Sequence, residues 1–193
     1  MGQEAVRRRY LEINGEHPMT AADDAYVNRQ YRELGELCSE TGYEVEEVRD
    51  WMLAGRLPIP SYLRSDGAEM VPADLFAPVA EVGLDNVREW FVGQWADPAT
   101  ADEEWEAYLS GQYVCLHSVT PVTIQRKTEL LQAIDRTSDP VELAAYVDEL
   151  DALEPEFTGY DRLRFGGPVS RDTHITAVRQ RLARAAESSP GAA

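Results

Sequence analysis

Residues 34–76 constrain the fold most strongly, because they carry signals for two helices and a hairpin in direct succession. The dipeptide Thr41-Gly42 marks a tight turn between two segments with helical apolar spacing. The second segment covers residues 45–54 and stops at Gly55, a residue type that often ends helices. Further on, Asp66-Gly67 is a strong signal for the turn of a β-hairpin. The sequence therefore predicts helix, turn, helix and hairpin within this stretch.

Apolar periodicity and capping signals predict more helices on both sides. Thr20 and Asp23 resemble a capping box, which opens a helix that continues to Cys38 with a weak point at Gly35. Later helices are expected to begin near Asp85, Thr100, Thr120, Asp139 and Ser170. We therefore predict a mainly α fold with four consecutive parts: a loose N-terminus (1–19), a helix-turn-helix domain with its hairpin (20–80), a helical domain (81–186) and a disordered tail (187–193).

The composition predicts a soluble cytoplasmic protein. A length of 193 residues with 44% hydrophobic content is enough to bury a substantial core. No apolar run approaches the roughly 18 residues of a membrane span, and the first residues lack the apolar core of a signal peptide. Cys38 and Cys115 are far apart and form neither a disulfide framework nor a four-ligand zinc motif. The sequence gives no indication of oligomeric state.

The charge distribution is uneven along the chain. The whole sequence has 35 acidic against 18 basic residues and a net charge of −17, which disfavours binding to phosphate backbones. Residues 81–157 hold most of this excess, with 17 acidic and 4 basic groups. Residues 158–193 have the opposite sign, with 6 basic and 3 acidic groups. This last block is therefore the first place to look for an anion-binding or docking surface.

The stretch 34–76 resembles the winged helix-turn-helix module of MerR-type regulators and excisionases. The matching features are LGELC, the Thr41-Gly42 turn, VRDWMLAGRLP and the hairpin that ends near Asp74-Leu75. We expect this winged part to pack on the helical C-terminal part. The resemblance implies that the second helix lies in a DNA groove and that basic wing residues contact phosphates. The charges oppose that use, because the stretch has 9 acidic and only 3 basic residues. We therefore interpret it as a scaffold.

Most of residues 26–182 is similar to an actinobacterial family known as natural product biosynthesis proteins. The segments that carry this similarity are RLPIPSYLRSDGAEMVPADLF, EEWEAYLSGQYVCLHSVTP with Arg126-Lys127 after it, and RFGGPVSRD. The resemblance implies a small protein of secondary metabolism, and it transfers no catalytic residues.

The first candidate site is the Arg- and Gly-rich segment 161–172. Paired glycines allow backbone N–H groups to face a ligand, and a helix start with nearby guanidinium groups favours a carboxylate or phosphate. The alternative is that the arginines of this segment dock on the acidic middle of the chain. The proposed ligand-binding residues are Arg162, Arg164, Gly166, Gly167, Ser170 and Arg171, with His174 on the first turn of the following helix.

The second candidate is the segment 113–117. Alternation in an extended chain would place Tyr113, Cys115 and His117 on one side. A Cys-x-His pair suits a metal ligand set or a nucleophile with its base. The alternative is that Cys115 is a small buried apolar residue. No metal or cofactor motif is complete in the sequence, so we predict neither a metal nor a cofactor.

Three hypotheses on function follow. The first is an accessory protein of natural product biosynthesis that does not bind DNA and recognises a partner protein or an anionic intermediate at the segment 161–172. The second is a small pathway enzyme in which His117 or His174 acts as general base while arginines hold a carboxylate. The third is a MerR-like transcriptional regulator, which the acidic charge disfavours. The sequence leaves open whether the protein is an enzyme.

Overall fold

The computed structural model describes residues 2–188 and is mainly α, as the sequence predicts. Two compact units are present. The first takes in the described residues up to Val114 together with Thr158–Arg164. The second takes in Cys115–Phe157 and the described residues from Phe165 onward. No helix in the described part of the chain is long and apolar enough to cross a membrane.

The helices are, in chain order, α1 (Gly2–Asn14), α2 (Ala21–Gln30), α3 (Leu34–Thr41), α4 (Val45–Leu53), α5 (Ala77–Val82), α6 (Val87–Val92), α7 (Pro98–Leu109), α8 (Pro121–Arg136), α9 (Pro140–Leu153), α10 (Gly159–Arg164) and α11 (Ala177–Ser188). A 3₁₀ turn lies at Leu84–Asn86, and a π-helix at Arg171–Thr176 leads directly into α11. The strands are β1 (Arg32–Glu33), β2 (Tyr62–Leu63) and β3 (Glu69–Val71).

The prediction of a loose N-terminus is wrong for α1. Val6, Tyr10 and Asn14 recur every four residues, so they share one helix face, and all three are buried. This face belongs to a helix that contacts α4. The stripe is short and includes a polar residue, which made it weak as a sequence signal. Tertiary contacts, rather than strong local periodicity, stabilise this helix.

The predicted helix from Thr20 to Cys38 is interrupted earlier than expected. The Thr20–Asp23 capping box is present, but α2 ends at Gln30 and Tyr31 is extended. The next two residues form β1 and pair with β3, and α3 then begins at Leu34. The break falls at the strand rather than at Gly35, because a long-range backbone pairing outweighs the local helical spacing.

A small antiparallel sheet joins these elements in the order β1-β3-β2. The predicted turn at Asp66-Gly67 connects β2 to β3, and Gly67 has a positive φ of 87° that suits glycine. Tyr62 pairs with Met70 across this hairpin. The third strand, β1, was not predicted, because two residues are too few to show an alternating pattern.

The division into units differs from the predicted boundary between residues 80 and 81. Helices α6 and α7 belong to the first unit, where Phe91 stacks on Tyr108 with ring centroids 5.1 Å apart and meets Trp105 edge-on at 5.3 Å. Helix α10 also belongs to the first unit, although it lies far along the chain. Long-range packing of aromatic side chains decides this boundary, and no composition change marks it.

The second unit has an apolar core built by α8, α9, the π-helix and α11. Its buried members share helical spacing on facing helices: Leu130, Ile134, Leu143, Val147, Leu150, Ile175 and Val178. Asp139 caps α9 by accepting hydrogen bonds from Val141 N and Glu142 N, as the sequence predicts. Of the predicted tail 187–193, Glu187 and Ser188 end α11, and residues 189–193 lie outside the described part.

Candidate functional site

The structure separates the candidate ligand-binding residues of the segment 161–172 between the two units. Arg162 and Arg164 lie on α10 in the first unit, and the other four belong to the second. Arg162 is half-buried and donates from its guanidinium to Thr158 O at 3.0 Å. Gly166 and Gly167 have positive φ values of 74° and 148°, which explains why glycines occupy this turn. The segment therefore contributes residues to both units, and each part is described within its own unit.

Arg164 is sequestered in the first unit and is not available to a ligand. Its side chain is 0% exposed and forms an ion pair with Asp161, whose Oδ1 lies 2.8 Å from the guanidinium. It also donates to Ser61 O at 2.8 Å and to Tyr10 Oη at 3.2 Å. The guanidinium lies over the ring of Tyr62, 4.4 Å from its centroid. Arg164 therefore has a structural role.

Asp161 has a full set of partners in the same place. Thr158 N and Oγ1 donate to Oδ2 at 2.8 and 2.9 Å, and Tyr62 Oη donates to Oδ1 at 3.0 Å. Burial alone would lower the pKa of Arg164, but Tyr10, Tyr62 and Asp161 raise it overall. We call this set the Arg164 cluster: Tyr10, Tyr62, Thr158, Asp161 and Arg164.

Ser170 belongs to a second buried ionic group, which lies in the second unit. Lys127 Nζ lies 2.6 Å from Glu154 Oε1 and donates to Ser170 Oγ at 3.0 Å, while Ser170 Oγ donates to Glu154 Oε1 at 2.5 Å. Burial raises the pKa of the Cys115 thiol, and the nearby Lys127 ammonium acts in the opposite direction. Glu154 is 0% exposed at its side chain, and its Oε2 has no hydrogen-bond partner among the described residues. We call this set the Lys127 cluster: Cys115, Lys127, Glu154 and Ser170.

Sequence reasoning missed Lys127 and Glu154 as a pair. The one available signal was that Lys127 is the only lysine in the chain. Burial lowers the pKa of Lys127, but the surrounding groups, Cys115 and Glu154, raise it overall. Burial raises the pKa of the Cys115 thiol, so this cysteine is not an activated nucleophile. A protonated lysine holding a buried carboxylate is a structural arrangement rather than a catalytic one.

Two further arginines of the C-terminal block, Arg171 and Arg179, meet the acidic middle of the chain, in the way that the docking alternative expects. Arg171 pairs with Asp151 at 2.5 Å and donates to Glu154 O at 3.1 Å. Arg179 lies between Asp148 and Asp151, at 2.7 and 2.8 Å. These ion pairs occupy the guanidinium groups that the anion-site hypothesis needs.

The two candidate histidines differ in their surroundings. His117 is exposed in a bend, and its backbone N–H donates to Leu153 O at 3.1 Å. His174 lies in the π-helix, where Nδ1 is 2.8 Å from Thr173 Oγ1 and Nε2 is 3.3 Å from Asp135 Oδ1. In the described part of the chain, no three His, Cys, Asp or Glu side chains are grouped as a metal site.

His174 opens onto a cleft of about 360 Å³ in the second unit. This volume is within the range of roughly 300–1,000 Å³ that is common for small-molecule sites. Ile134 and Val178 form apolar walls, and Arg181 adds a guanidinium. Arg181 makes no hydrogen bond or ion pair within residues 2–188, unlike Arg171. π-Helical turns are rare and recur at functional sites, and this one presents the imidazole of His174.

Helix α4, which the resemblance to MerR-type proteins would place in a DNA groove, has one cation, and that cation is paired with carboxylates. Glu46 and Glu47 stand in the first turn of α4, and Arg49 donates from Nε and a terminal nitrogen to Glu69 at 3.0 and 2.6 Å. In the hairpin, Arg64 donates to Asn28 Oδ1 at 2.8 Å and also pairs with Asp66. Few cations remain in this region to neutralise phosphates.

Comparison with known proteins gives one match. A family model described as a family of unknown function (DUF6058) matches residues 87–183, half of the chain. The matched part contains the Lys127 cluster and the His174 cleft. No curated protein and no solved structure matches the chain.

Proposed function

The chain belongs to DUF6058, a family of unknown function, and from the geometry of its second unit we propose that it is an accessory protein that binds an anionic small molecule in the His174 cleft. The observation that carries this proposal is Arg181, a guanidinium without a protein partner among the described residues, beside a positioned imidazole. Other arginines of the same unit already pair with carboxylates. A free guanidinium in a cleft favours a carboxylate or phosphate.

The resemblance to natural product biosynthesis proteins supplies the setting of the proposal. An anionic pathway intermediate would place its charge on Arg181 and a hydrogen-bond acceptor or donor on Thr173 or His174. Ile134 and Val178 would contact its apolar part. This site replaces the segment 161–172 as the place of recognition.

The experiment is an NMR titration of the ¹⁵N-labelled protein with inorganic phosphate and with butyrate. We expect progressive shifts of the backbone amides of Thr173, His174 and Arg181. Arg181→Gln should weaken binding about tenfold or more, since one charge-assisted hydrogen bond contributes roughly 1.5–3 kcal/mol. Arg8→Gln is the matched control, because it removes one exposed arginine from the first unit. Equal affinity of wild type and Arg181→Gln for both probes would refute this site.

A second candidate function is acid–base catalysis by His174. Its ring lies between a hydroxyl and a carboxylate, since Thr173 Oγ1 faces Nδ1 and Asp135 faces Nε2. In that arrangement the carboxylate holds the imidazole in the tautomer that accepts the hydroxyl proton. Hydrolysis of p-nitrophenyl acetate would test it. Loss of hydrolysis in both His174→Gln and Thr173→Val supports catalysis, and unchanged hydrolysis in His174→Gln excludes it for this reaction.

The remaining alternative is that the protein is a DNA-binding transcriptional regulator. It needs cations on α4 and the hairpin, where Arg49 and Arg64 already pair with carboxylates. A gel shift at low salt tests it, because low salt strengthens any attraction to phosphates. We expect no shift, and a shift under these conditions would restore this hypothesis.

A further inference from the structure

The His174 cleft has two side chains of opposite charge that do not pair with each other. Asp135, on α8, and Arg181, on α11, both line it. Among residues 2–188, Arg181 makes no ion pair, and the one ion pair of Asp135 is with His174, whose Nε2 lies 3.3 Å from Oδ1. Both charges therefore remain available to a ligand that occupies the same cleft.

The Asp135 carboxylate is open to a donor from solvent. Its side chain is 69% accessible, and the contact with His174 involves only Oδ1. Its other oxygen, Oδ2, has no hydrogen-bond donor in the described part of the chain. An alkyl ammonium group has three N–H donors and a positive charge, so it matches this carboxylate.

The two charges lie toward opposite ends of one helix face. His174, Val178 and Arg181 are four and three residues apart, a spacing that places them on the same side of a helix over roughly two turns. Asp135 contacts His174 at the first end, and Arg181 stands at the other end. The apolar side chain of Val178 lies between them in the sequence of this face.

The apolar surface between the charged ends is small. Ile134 and Val178 line the cleft, but they are only 3% and 6% exposed, because most of each side chain belongs to the core of the second unit. This surface suits a chain of a few methylene groups rather than a large ring system.

From this arrangement we propose that the ligand class of the His174 cleft is an amino acid whose ammonium and carboxylate groups stand at the two ends of a short apolar chain. The carboxylate contacts Arg181, and the ammonium contacts Asp135. This inference rests on the proposed function, since it names the ligand of the same cleft. A simple anion meets Arg181 alone and is repelled by Asp135, whereas the amino acid gains a contact at each end.

The test compares butyrate with 4-aminobutyrate in NMR titrations of the ¹⁵N-labelled protein, because the two probes have the same carbon chain and differ in the terminal ammonium. A pH of about 8 keeps alkyl amines protonated and imidazole groups mostly neutral. We expect 4-aminobutyrate to bind about threefold more tightly, a modest gain because the carboxylate is exposed.

Variants assign this gain to the two charges. Asp135→Asn should make the two affinities equal without weakening butyrate, whereas Arg181→Gln should weaken both probes. Glu156→Gln is the matched control, because it removes one exposed acidic group of the same unit outside the cleft, and it should preserve the threefold ratio. Glycine, whose charges are too close together to reach both ends, should bind equally to wild type and Asp135→Asn.

The outcomes separate this inference from the proposed function. Equal affinities of the wild-type protein for butyrate and 4-aminobutyrate would overturn the amino-acid assignment, while binding of butyrate that depends on Arg181 would still support an anion site. A threefold ratio that persists in Asp135→Asn would also overturn it. If neither probe binds the wild-type protein, both the inference and the proposed function fail.

Discussion

The Arg164 cluster and the Lys127 cluster are both buried ion pairs, and they differ in how completely their polar atoms are satisfied. In the first, both oxygens of Asp161 accept hydrogen bonds, and the guanidinium has carboxylate, carbonyl and hydroxyl partners. In the second, Glu154 Oε1 receives Lys127 and Ser170, while Oε2 has no partner among the described residues. Burial alone does not reveal this difference.

The comparison indicates that a buried ion pair with few hydrogen-bond partners can be replaced by apolar residues more easily than one with many partners. Asp161 is the acceptor for the helix-capping Thr158 and for Tyr62, so several groups depend on it. The Glu154 carboxylate pairs with Lys127 and accepts a hydrogen bond from Ser170, so only two side chains depend on it. A complete network fixes the position of α10 within the first unit, whereas the smaller one in the second unit leaves a buried carboxylate oxygen without a partner among the described residues.

The largest effect is expected from Arg164→Met. It leaves the Asp161 carboxylate buried without its cation, which costs about 3–5 kcal/mol of unfolding free energy. Urea denaturation monitored by circular dichroism measures it, with Arg162→Met on the same helix as the control that loses about 1 kcal/mol. Adding Asp161→Leu should not restore stability, because Thr158 and Tyr62 then lose their acceptor. Recovery in the double variant would contradict the comparison.

Lys127→Met is expected to cost about 3 kcal/mol for the same reason, since Glu154 remains buried without its cation. Here the double variant Lys127→Met/Glu154→Leu should regain most of that loss, because only Ser170 depends on the carboxylate. The same denaturation experiment measures both. If the double variant is no more stable than Lys127→Met alone, then the two clusters do not differ as described.

Arg179→Gln tests an exposed ion pair of the second unit. Arg179 pairs with Asp148 and Asp151, but 45% of its side chain is accessible, so solvent screens the interaction. We expect a loss below about 1 kcal/mol, which should vanish at about 1 M salt, where the screening length is ~3 Å. A loss as large as that of Lys127→Met would show that burial does not govern these pairs.

Protonation of the Asp66 carboxyl is expected to have the smallest effect on stability, and this effect depends on pH. Its hydrogen bond with Arg64 and the Ala68 N–H lower the pKa of the Asp66 carboxyl from 3.8 to about 2. Because the folded pKa is below the unfolded one, its stabilising contribution is present above about pH 4 and disappears as the pH falls through 2. The Ala68 amide shift should therefore titrate with a midpoint near pH 2. Asp66→Asn should abolish that transition, and a midpoint near 4 would contradict the hydrogen bonds described.

Much of the local structure was predictable, because it depends on short-range signals. The capping residues Thr20, Thr120 and Asp139, and the turn at Asp66-Gly67, occur as predicted. The helix α1 and the strand β1 were not predictable, because each depends on a partner far away in the chain. Of the candidate site residues, His174 was named from the sequence and lines a cleft, whereas Arg181 in the same cleft was not named.

The amino-acid sequence alone establishes the acidic net charge that disfavours DNA and the basic C-terminal block, and it was enough to predict the mainly α class. It does not show which arginines are available to a ligand, because that depends on contacts between distant residues. Four arginines of the C-terminal block cannot be told apart by residue type, yet their contacts differ. Three of them have protein partners, namely Arg162, Arg164 and Arg171, whereas Arg181 has none among the described residues. The reason is physical: whether a charge is buried, paired or free depends on which distant carboxylates and hydroxyls the fold brings to it.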